Sequence, residues 1–166
     1  IELSNQDAEF LVNRFVYDNP ESPFVNHAWF RLADYAFRKN SFAMVLKYMK
    51  RVDRFYLDED ELSLFYYETG YSHYMRKEYS EARVAFYEIK DIDSKYSSPA
   101  LYYYSHIAYE QENYETALNG FLRLRDDETF SSIAPYYVAQ IYYLQKKYNE
   151  VIEFAPSLME NVTEKR

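Results

Sequence analysis

Apolar and polar positions follow a helical period along most of the chain. Apolar residues recur three and four positions apart, as one face of an amphipathic helix requires. One phrase is repeated: an aromatic residue, Ala or Val three positions later, and an apolar residue four positions after that. Its copies are Phe42–Met49, Tyr79–Phe86, Tyr114–Phe121 and Tyr148–Ala155. The leading aromatic residues are 37, 35 and 34 residues apart, so the pattern predicts repeats that are each one helical hairpin long.

The spacing predicts four repeats of two helices each, preceded by one unpaired helix. The predicted repeats span residues 26–62, 63–97, 98–131 and 132–166. Residues 4–20 resemble the second helix of a further repeat, and Asn19 ends that helix because the residue before a proline disfavours the helical conformation. This organisation gives about nine helices. Pro156 falls inside the last helix and predicts a break or kink after Phe154.

When the four repeats are aligned with one another, they resemble the tetratricopeptide repeat, a 34-residue pair of antiparallel helices. That family has a large residue at position 4 of the repeat and small residues at positions 8 and 20. Position 4 reads Trp29, Tyr66, Leu101 and Pro135; position 8 reads Ala33, Gly70, Ser105 and Ala139; position 20 reads Val45, Ala82, Ala117 and Val151. The resemblance implies an all-α fold, a right-handed superhelical solenoid of antiparallel helix pairs that forms a single array over residues 1–166.

One position departs from the family pattern. At position 15 the family favours glycine, because the turn between the two helices requires a positive φ. This chain has no glycine there; the residues are Asn40, Lys77, Glu112 and Lys146. Asn40 is the only comfortable substitute among them.

Composition and charge exclude several classes of protein. The chain has 166 residues, a formal net charge of −8, no cysteine and two glycines. The negative charge argues against nucleic-acid binding, whose affinity comes largely from basic contacts to phosphate. The glycine and cysteine counts exclude a glycine-rich phosphate loop, a disulfide scaffold and a zinc finger. No stretch approaches 18 consecutive apolar residues, so we predict no membrane insertion within this segment.

Candidate chemistry is sparse. His27, His73 and His106 fall in three different repeats and lack the spacing of a zinc site on one helix. His73 lies at a core position and is interpreted as a packed, hydrogen-bonded histidine. Two acidic clusters, residues 58–61 and 126–128, precede predicted helices, where the helix dipole favours negative charge. We therefore predict no enzyme activity, no metal site and no cofactor.

Tyrosine is the distinctive residue of this chain, with 21 copies. The resemblance implies that positions 5 and 9 of each first helix face a concave groove, and it places the candidate partner-binding residues there. These are Phe30, Asp34, Tyr67, Tyr71, Tyr102, His106, Tyr136 and Gln140. Two interpretations are open: the aromatic residues, above all those at position 12, pack against neighbouring helices, or they form an exposed wall for a partner. Positions 5 and 9 contain no Lys and no Asn, which excludes the carboxylate clamp of chaperone-binding members.

These observations predict a non-catalytic domain that holds a protein or peptide partner in a tyrosine-rich groove. Glycan or small-ligand binding on the same groove is the alternative, and a sugar site would place one or two exposed rings beside carboxamides or carboxylates. Self-association through terminal helices is a third hypothesis. The chain begins at Ile1 and is interpreted as a fragment of a longer bacterial repeat protein, similar in style to repeat proteins of the Gram-negative envelope, which favours the periplasm or envelope over the cytoplasm.

Overall fold

The fold is all-α. A computed structural model describes the backbone of residues 5–163 and the side chains of residues 7–155. Within this part of the chain there are nine α-helices, one short 3₁₀ turn at Arg54–Tyr56 and no strand. The helices are α1 (Asn5–Asp18), α2 (Val25–Arg38), α3 (Phe42–Met49), α4 (Glu59–Met75), α5 (Tyr79–Tyr87), α6 (Ser97–Glu110), α7 (Tyr114–Arg123), α8 (Ala134–Leu144) and α9 (Tyr148–Thr163). Consecutive helices pack against each other within each of the two compact units into which the chain divides.

Unit 1 comprises Ile1–Ile89 and contains α1 to α5. In it α2 pairs with α3, and α4 pairs with α5. The predicted unpaired helix is present as α1, which packs on α2 and ends at Asp18, just before Asn19–Pro20. Additional contacts join α2 to α4, so one face of α2 is covered by the following helix pair.

Unit 2 comprises Lys90–Arg166 and contains α6 to α9. Here α6 pairs with α7 and α8 pairs with α9, while α7 also packs on α8. The core is built from residues three or four positions apart on the sides of α7 and α8 that face each other. Its fully buried members include Ala117, Phe121, Val138 and Ile141. The predicted hairpins therefore form in both units.

All four hairpins turn through the same backbone motif. Asn40, Lys77, Glu112 and Lys146 have φ values of 54°, 61°, 58° and 59°, the left-handed region. In the first hairpin, the N–H of Asn40 donates to the Phe37 carbonyl (2.8 Å), and the N–H of Ser41 donates to the Ala36 carbonyl (2.9 Å). Equivalent pairs of bonds close the other three turns. This is the Schellman motif, which satisfies the last carbonyls of a helix.

The residues at position 15, which depart from the family pattern, nevertheless adopt the left-handed conformation in all four hairpins, although none of them is glycine. The requirement comes from the backbone and not from the side chain, because the reversal between two antiparallel helices needs a positive φ at this point. Each non-glycine residue bears the associated steric strain, and Asn40 bears the least.

Small residues at the predicted positions let the paired helices approach closely. A Cβ atom on Gly70 of α4 would lie 2.8 Å from the Phe86 ring of α5. A Cβ atom on Gly120 of α7 would lie 1.8 Å from the Ser105 Oγ of α6. Gly70, at position 8 of the pattern, thus lets α4 and α5 approach closely. The contact of Gly120 with Ser105 serves the same purpose in the next pair but was not foreseen from the pattern.

Local capping explains where several helices begin. The Asp58 side chain accepts a hydrogen bond from the Glu61 N–H (2.8 Å) at the start of α4, and the first turn of that helix is acidic. The first acidic cluster is thus a helix cap, as expected. Asp127 of the second cluster instead accepts bonds from the N–H groups of Thr129 and Phe130, so it shapes the loop before α8 and does not cap that helix. The predicted helix start at Ser4 lies outside the described residues.

Of the break or kink predicted near Pro156, a break is not present. The last helix, α9, runs without interruption from Tyr148 to Thr163. Proline removes one N–H donor from a helix, but the neighbouring N–H···O bonds on either side still hold the helical backbone. The sequence rule identified a weak point in α9 and overestimated its effect.

Candidate functional site

Unit 1 contains the first four predicted site residues, and two of them are inaccessible. Phe30 is fully buried and Asp34 is 7% exposed, because α2 is covered by both α3 and α4. Phe30 belongs to a core cluster that includes Trp29 of the same helix and Phe65 of α4. The assignment of Phe30 and Asp34 to a partner-binding surface is therefore wrong.

Tyr67 and Tyr71 are half-buried in unit 1. The Tyr71 ring lies 5.5 Å from the Phe37 ring and 5.8 Å from the Phe42 ring, both edge to face. The Tyr67 ring contacts Phe37 at 6.3 Å and Phe86 at 6.4 Å. These centroid distances are typical of stabilising aromatic pairs. Both tyrosines therefore contribute to packing between the helix pairs of unit 1.

A buried carboxyl pair lies beside these rings and was not foreseen. Glu68 of α4 is 1% exposed and shares a hydrogen bond with Asp34 of α2. Arg38 donates to both Asp34 oxygens, at 3.0 and 2.5 Å. Burial foremost, together with the nearby Asp34 charge, raises the pKa of Glu68 to about 9. Glu68 is thus protonated at neutral pH, and burial of both carboxyl groups gives the pair a structural role.

Unit 2 places the other four predicted residues in one aromatic cluster. Tyr102 of α6 is half-buried and stacks on Phe130 with centroids 4.8 Å apart and planes 14° apart. Tyr137 of α8, which the pattern did not single out, stacks on Phe121 at 4.5 Å and 7°. Tyr102 also contacts Tyr137 edge to face at 6.3 Å. Tyr102 therefore packs between α6, α8 and the loop before α8.

His106 lies within the same cluster. Its side chain is 18% exposed, and its ring lies 6.1 Å from Tyr102 and 5.6 Å from Tyr137. Burial lowers the pKa of His106, and the charge of Glu110, whose carboxylate is 3.9 Å away, acts in the opposite direction. The imidazole is therefore neutral at physiological pH and offers one hydrogen-bond donor and one acceptor.

The exposed part of the cluster lies on α8. Tyr136, Gln140 and Tyr143, at positions i, i+4 and i+7, share one helix face, which we call the α8 surface. Tyr136 is 55% exposed and Tyr143 is 64% exposed. The Tyr109 hydroxyl of α6 donates to Gln140 Oε1 (3.2 Å), and Gln140 Nε2 donates to the Tyr136 hydroxyl (2.8 Å). The α8 surface therefore combines exposed tyrosine rings with polar groups whose orientation is fixed by the hydrogen bond from Tyr109.

Of the predicted site residues, Tyr136 and Gln140 lie together on the α8 surface, and Tyr143, at position 12 of the repeat pattern, lies beside them. The predicted register already separates Tyr136, at groove-facing position 5, from the adjacent Tyr137. In the structure Tyr136 is exposed, whereas Tyr137 is half-buried and stacks on Phe121 of α7.

Within residues 7–155, no three His, Cys, Asp or Glu side chains are close enough together to hold a metal ion. No helix in the described part of the chain has both the length and the apolar character needed to cross a membrane. His73 is packed and hydrogen-bonded, with Nδ1 2.7 Å from Glu78 Oε2, as its core position predicted. No known family model matches the chain, and no curated protein matches it.

Proposed function

We propose that this chain is a non-catalytic protein-interaction domain and that it binds its protein or peptide partner on the α8 surface. The observation that carries the proposal is the pairing of two exposed tyrosine rings with a carboxamide held in place by Tyr109. Tyrosine offers a large contact area at low entropic cost, and its hydroxyl adds a directional hydrogen bond. Membership of the tetratricopeptide family and right-handed superhelical winding belong to the same proposal, supported by the repeated Schellman turns and the small residues between paired helices.

Binding on this surface would bury partner side chains against Tyr136 and Tyr143. The Tyr136 hydroxyl accepts a bond from Gln140, so its own proton is directed to an acceptor on the partner, such as a backbone carbonyl. Because the Tyr109–Gln140–Tyr136 hydrogen bonds already exist in the isolated chain, little side-chain ordering is required on binding. Residues of this kind concentrate binding energy at protein interfaces.

Site-specific photo-crosslinking tests the proposal. A photoreactive amino acid placed at Tyr136 is expected to capture a defined partner from the source cells, whereas the same group at Tyr17 of α1, which is 84% exposed, is not. With the partner identified, Tyr136→Ala combined with Tyr143→Ala should weaken binding by about 30-fold or more, corresponding to a loss of ~2 kcal/mol. Tyr17→Ala is the matched control for removal of an exposed tyrosine.

Thermal unfolding separates a loss of contact from a loss of fold. The α8 variants should unfold within a few degrees of the wild type, because both rings are more than half exposed. Phe121→Ala removes a fully buried ring and should cost ~3–5 kcal/mol. If the α8 variants bind the partner as well as the wild type does, the α8 surface is not the binding site.

Glycan binding is a second candidate, favoured by one feature. Tyr136 exposes a ring directly beside the Gln140 carboxamide, and the exposed carboxylate of Glu110 lies near the same cluster. This is the arrangement expected of a sugar site. A glycan array probed with the wild type and with Tyr136→Ala distinguishes the two candidates, since only the glycan hypothesis predicts a saturable signal that disappears in the variant.

A further inference from the structure

A cleft of about 460 Å³ lies in unit 1, and no tyrosine is among the residues that line it. It is formed by α3 and the residues just after it on one side, and by the end of α4 and the following turn on the other. Four cationic side chains line it: Lys47, Lys50, Arg51 and Arg76. Ala43 and Leu46 supply an apolar wall. The volume is within the range of small-ligand sites, roughly 300–1,000 Å³.

The charge of the cleft is opposite to that of the chain, whose formal net charge is −8. Glu78 is the one carboxylate among the lining residues, against four cations. Lys47 is paired with Glu9 of α1 at 2.5 Å, and the charge of Glu9 also acts on Arg51, whereas within the described residues no carboxylate lies within salt-bridge distance of Lys50. Cations held this close together repel each other, and a bound anion would relieve that repulsion.

Two of the cations are held in place by the protein. The Arg51 guanidinium lies 4.5 Å from the centre of the Trp29 ring, within cation–π range. Arg76 donates to Glu78 Oε1 through Nε at 2.9 Å, and His73 Nδ1 lies 2.7 Å from Glu78 Oε2. These hydrogen bonds, that from Arg76 foremost, hold the pKa of Glu78 below its usual value, so this carboxylate stays ionised. The cleft is therefore preorganised around the partly exposed Glu78 carboxylate, and Lys50 and Arg51 are exposed residues of its lining.

We propose that this cleft binds a small phosphate-bearing anion. A phosphate group carries up to two negative charges at neutral pH on three oxygens and therefore matches several converging cations better than a single carboxylate does. Arginine and lysine are the side chains that proteins use most for this recognition. The wall formed by Ala43 and Leu46 would contact the organic part of a phosphate ester. The cleft shares no residue with the α8 surface, so this proposal can be tested separately from the proposed function.

Inorganic pyrophosphate is the probe that tests the proposal. Calorimetry on the full chain at low salt should show saturable 1:1 binding, and amide NMR shifts should cluster in residues 43–51 and 73–78. Lys50→Glu, a change at an exposed residue, should weaken binding by about tenfold or more, as expected for charge reversal beside a bound anion. Lys147→Glu, an identical change at an exposed lysine that does not line the cleft, is the matched control and should leave the affinity within about twofold.

A second variant makes the test independent of any loss of fold. Glu78→Gln removes the negative charge of the cleft lining while keeping the side-chain shape, and it should strengthen pyrophosphate binding. Any one of four results would overturn the proposal. Two concern the wild type: no saturable binding, or NMR shifts that are confined to unit 2. The other two concern the variants: weaker pyrophosphate binding by Glu78→Gln, or equal losses of affinity in the two lysine variants. Citrate and an oligoglutamate peptide serve as comparison ligands, and equal or tighter binding of either one would overturn the assignment to phosphate.

Discussion

Replacing Glu112 with glycine should stabilise the protein. Glu112 has a φ of 58° in the turn between α6 and α7, and its N–H donates to the Tyr109 carbonyl at 2.9 Å. The side chain is exposed, so its removal sacrifices little packing. Glycine accepts this backbone conformation without steric cost, and both hydrogen bonds of the turn are retained because they involve only backbone atoms.

Two opposing contributions determine the size of the gain. The left-handed conformation costs a non-glycine residue roughly 1–2 kcal/mol, which Glu112→Gly would recover. Glycine loses more backbone entropy on folding, which costs roughly 0.5–1 kcal/mol. Removing a negative charge at the C-terminal end of α6 adds a few tenths of a kcal/mol, because the helix dipole disfavours an anion there. The net expectation is a stabilisation of ~1 kcal/mol, or about 2–4 °C in melting temperature for a chain of this size.

Urea unfolding followed by circular dichroism measures this gain, and two variants isolate its cause. Glu112→Ala removes the charge but keeps a Cβ atom, so it should recover only the small electrostatic part. Gln111→Gly introduces glycine one residue earlier, where φ is −89°, and should be neutral or destabilising. If Glu112→Gly is no more stable than Glu112→Ala, backbone strain at this turn is not the origin of the effect. Asn40→Gly should give a smaller gain, since asparagine tolerates positive φ.

Two further predictions concern buried positions. The pKa of Glu68 is about 9 in the folded chain, against 4.5 for an ordinary glutamate. Between these values the folded state retains a proton that the unfolded state loses. The free energy of unfolding should therefore fall as the pH rises from about 5 to 9. Glu68→Gln should flatten this dependence in urea titrations at several pH values, and an unchanged slope would contradict it. Gly120→Ala should destabilise by ~1–3 kcal/mol through its clash with Ser105, although helix propensity alone favours alanine by ~1 kcal/mol. Asn119→Ala, at an exposed neighbouring position, is the control, and a more stable Gly120→Ala would refute the packing argument.

The sequence was sufficient to predict the helices and their pairing, because a repeated pattern averages out local ambiguity. The unpaired α1 and the four hairpins were accessible from the spacing of the repeated pattern. A single copy of the pattern would have left each of these uncertain. The left-handed turns at Lys77, Glu112 and Lys146 were not accessible in this way, because these residue types disfavour a positive φ. Pro156 shows the limit of such rules, since one missing hydrogen bond does not end a helix whose other turns remain bonded.

The candidate site was predicted less well, since exposure depends on what covers a residue and not on the residue itself. Nothing in the sequence marks Glu68 as a buried residue, yet α2 and α4 enclose it together with Asp34. The cationic cleft could not be predicted from the sequence for a related reason. Its residues lie in two separate stretches, 43–51 and 73–78, that become neighbours only when α3 packs against α4.

Coverage by a neighbouring helix distinguishes the buried Phe30 from the exposed Tyr136. Both occupy position 5 of a first helix, but α4 covers Phe30, whereas no helix within the described residues covers that face of α8. The surface proposed to bind a partner is therefore also the surface on which a second copy of the chain could stack, as the hypothesis of self-association requires. Sedimentation equilibrium separates these uses: if self-association dominates, the wild type should form concentration-dependent dimers that Tyr136→Ala abolishes. A wild type that stays monomeric while Tyr136 still crosslinks to a different protein would assign the α8 surface to that partner.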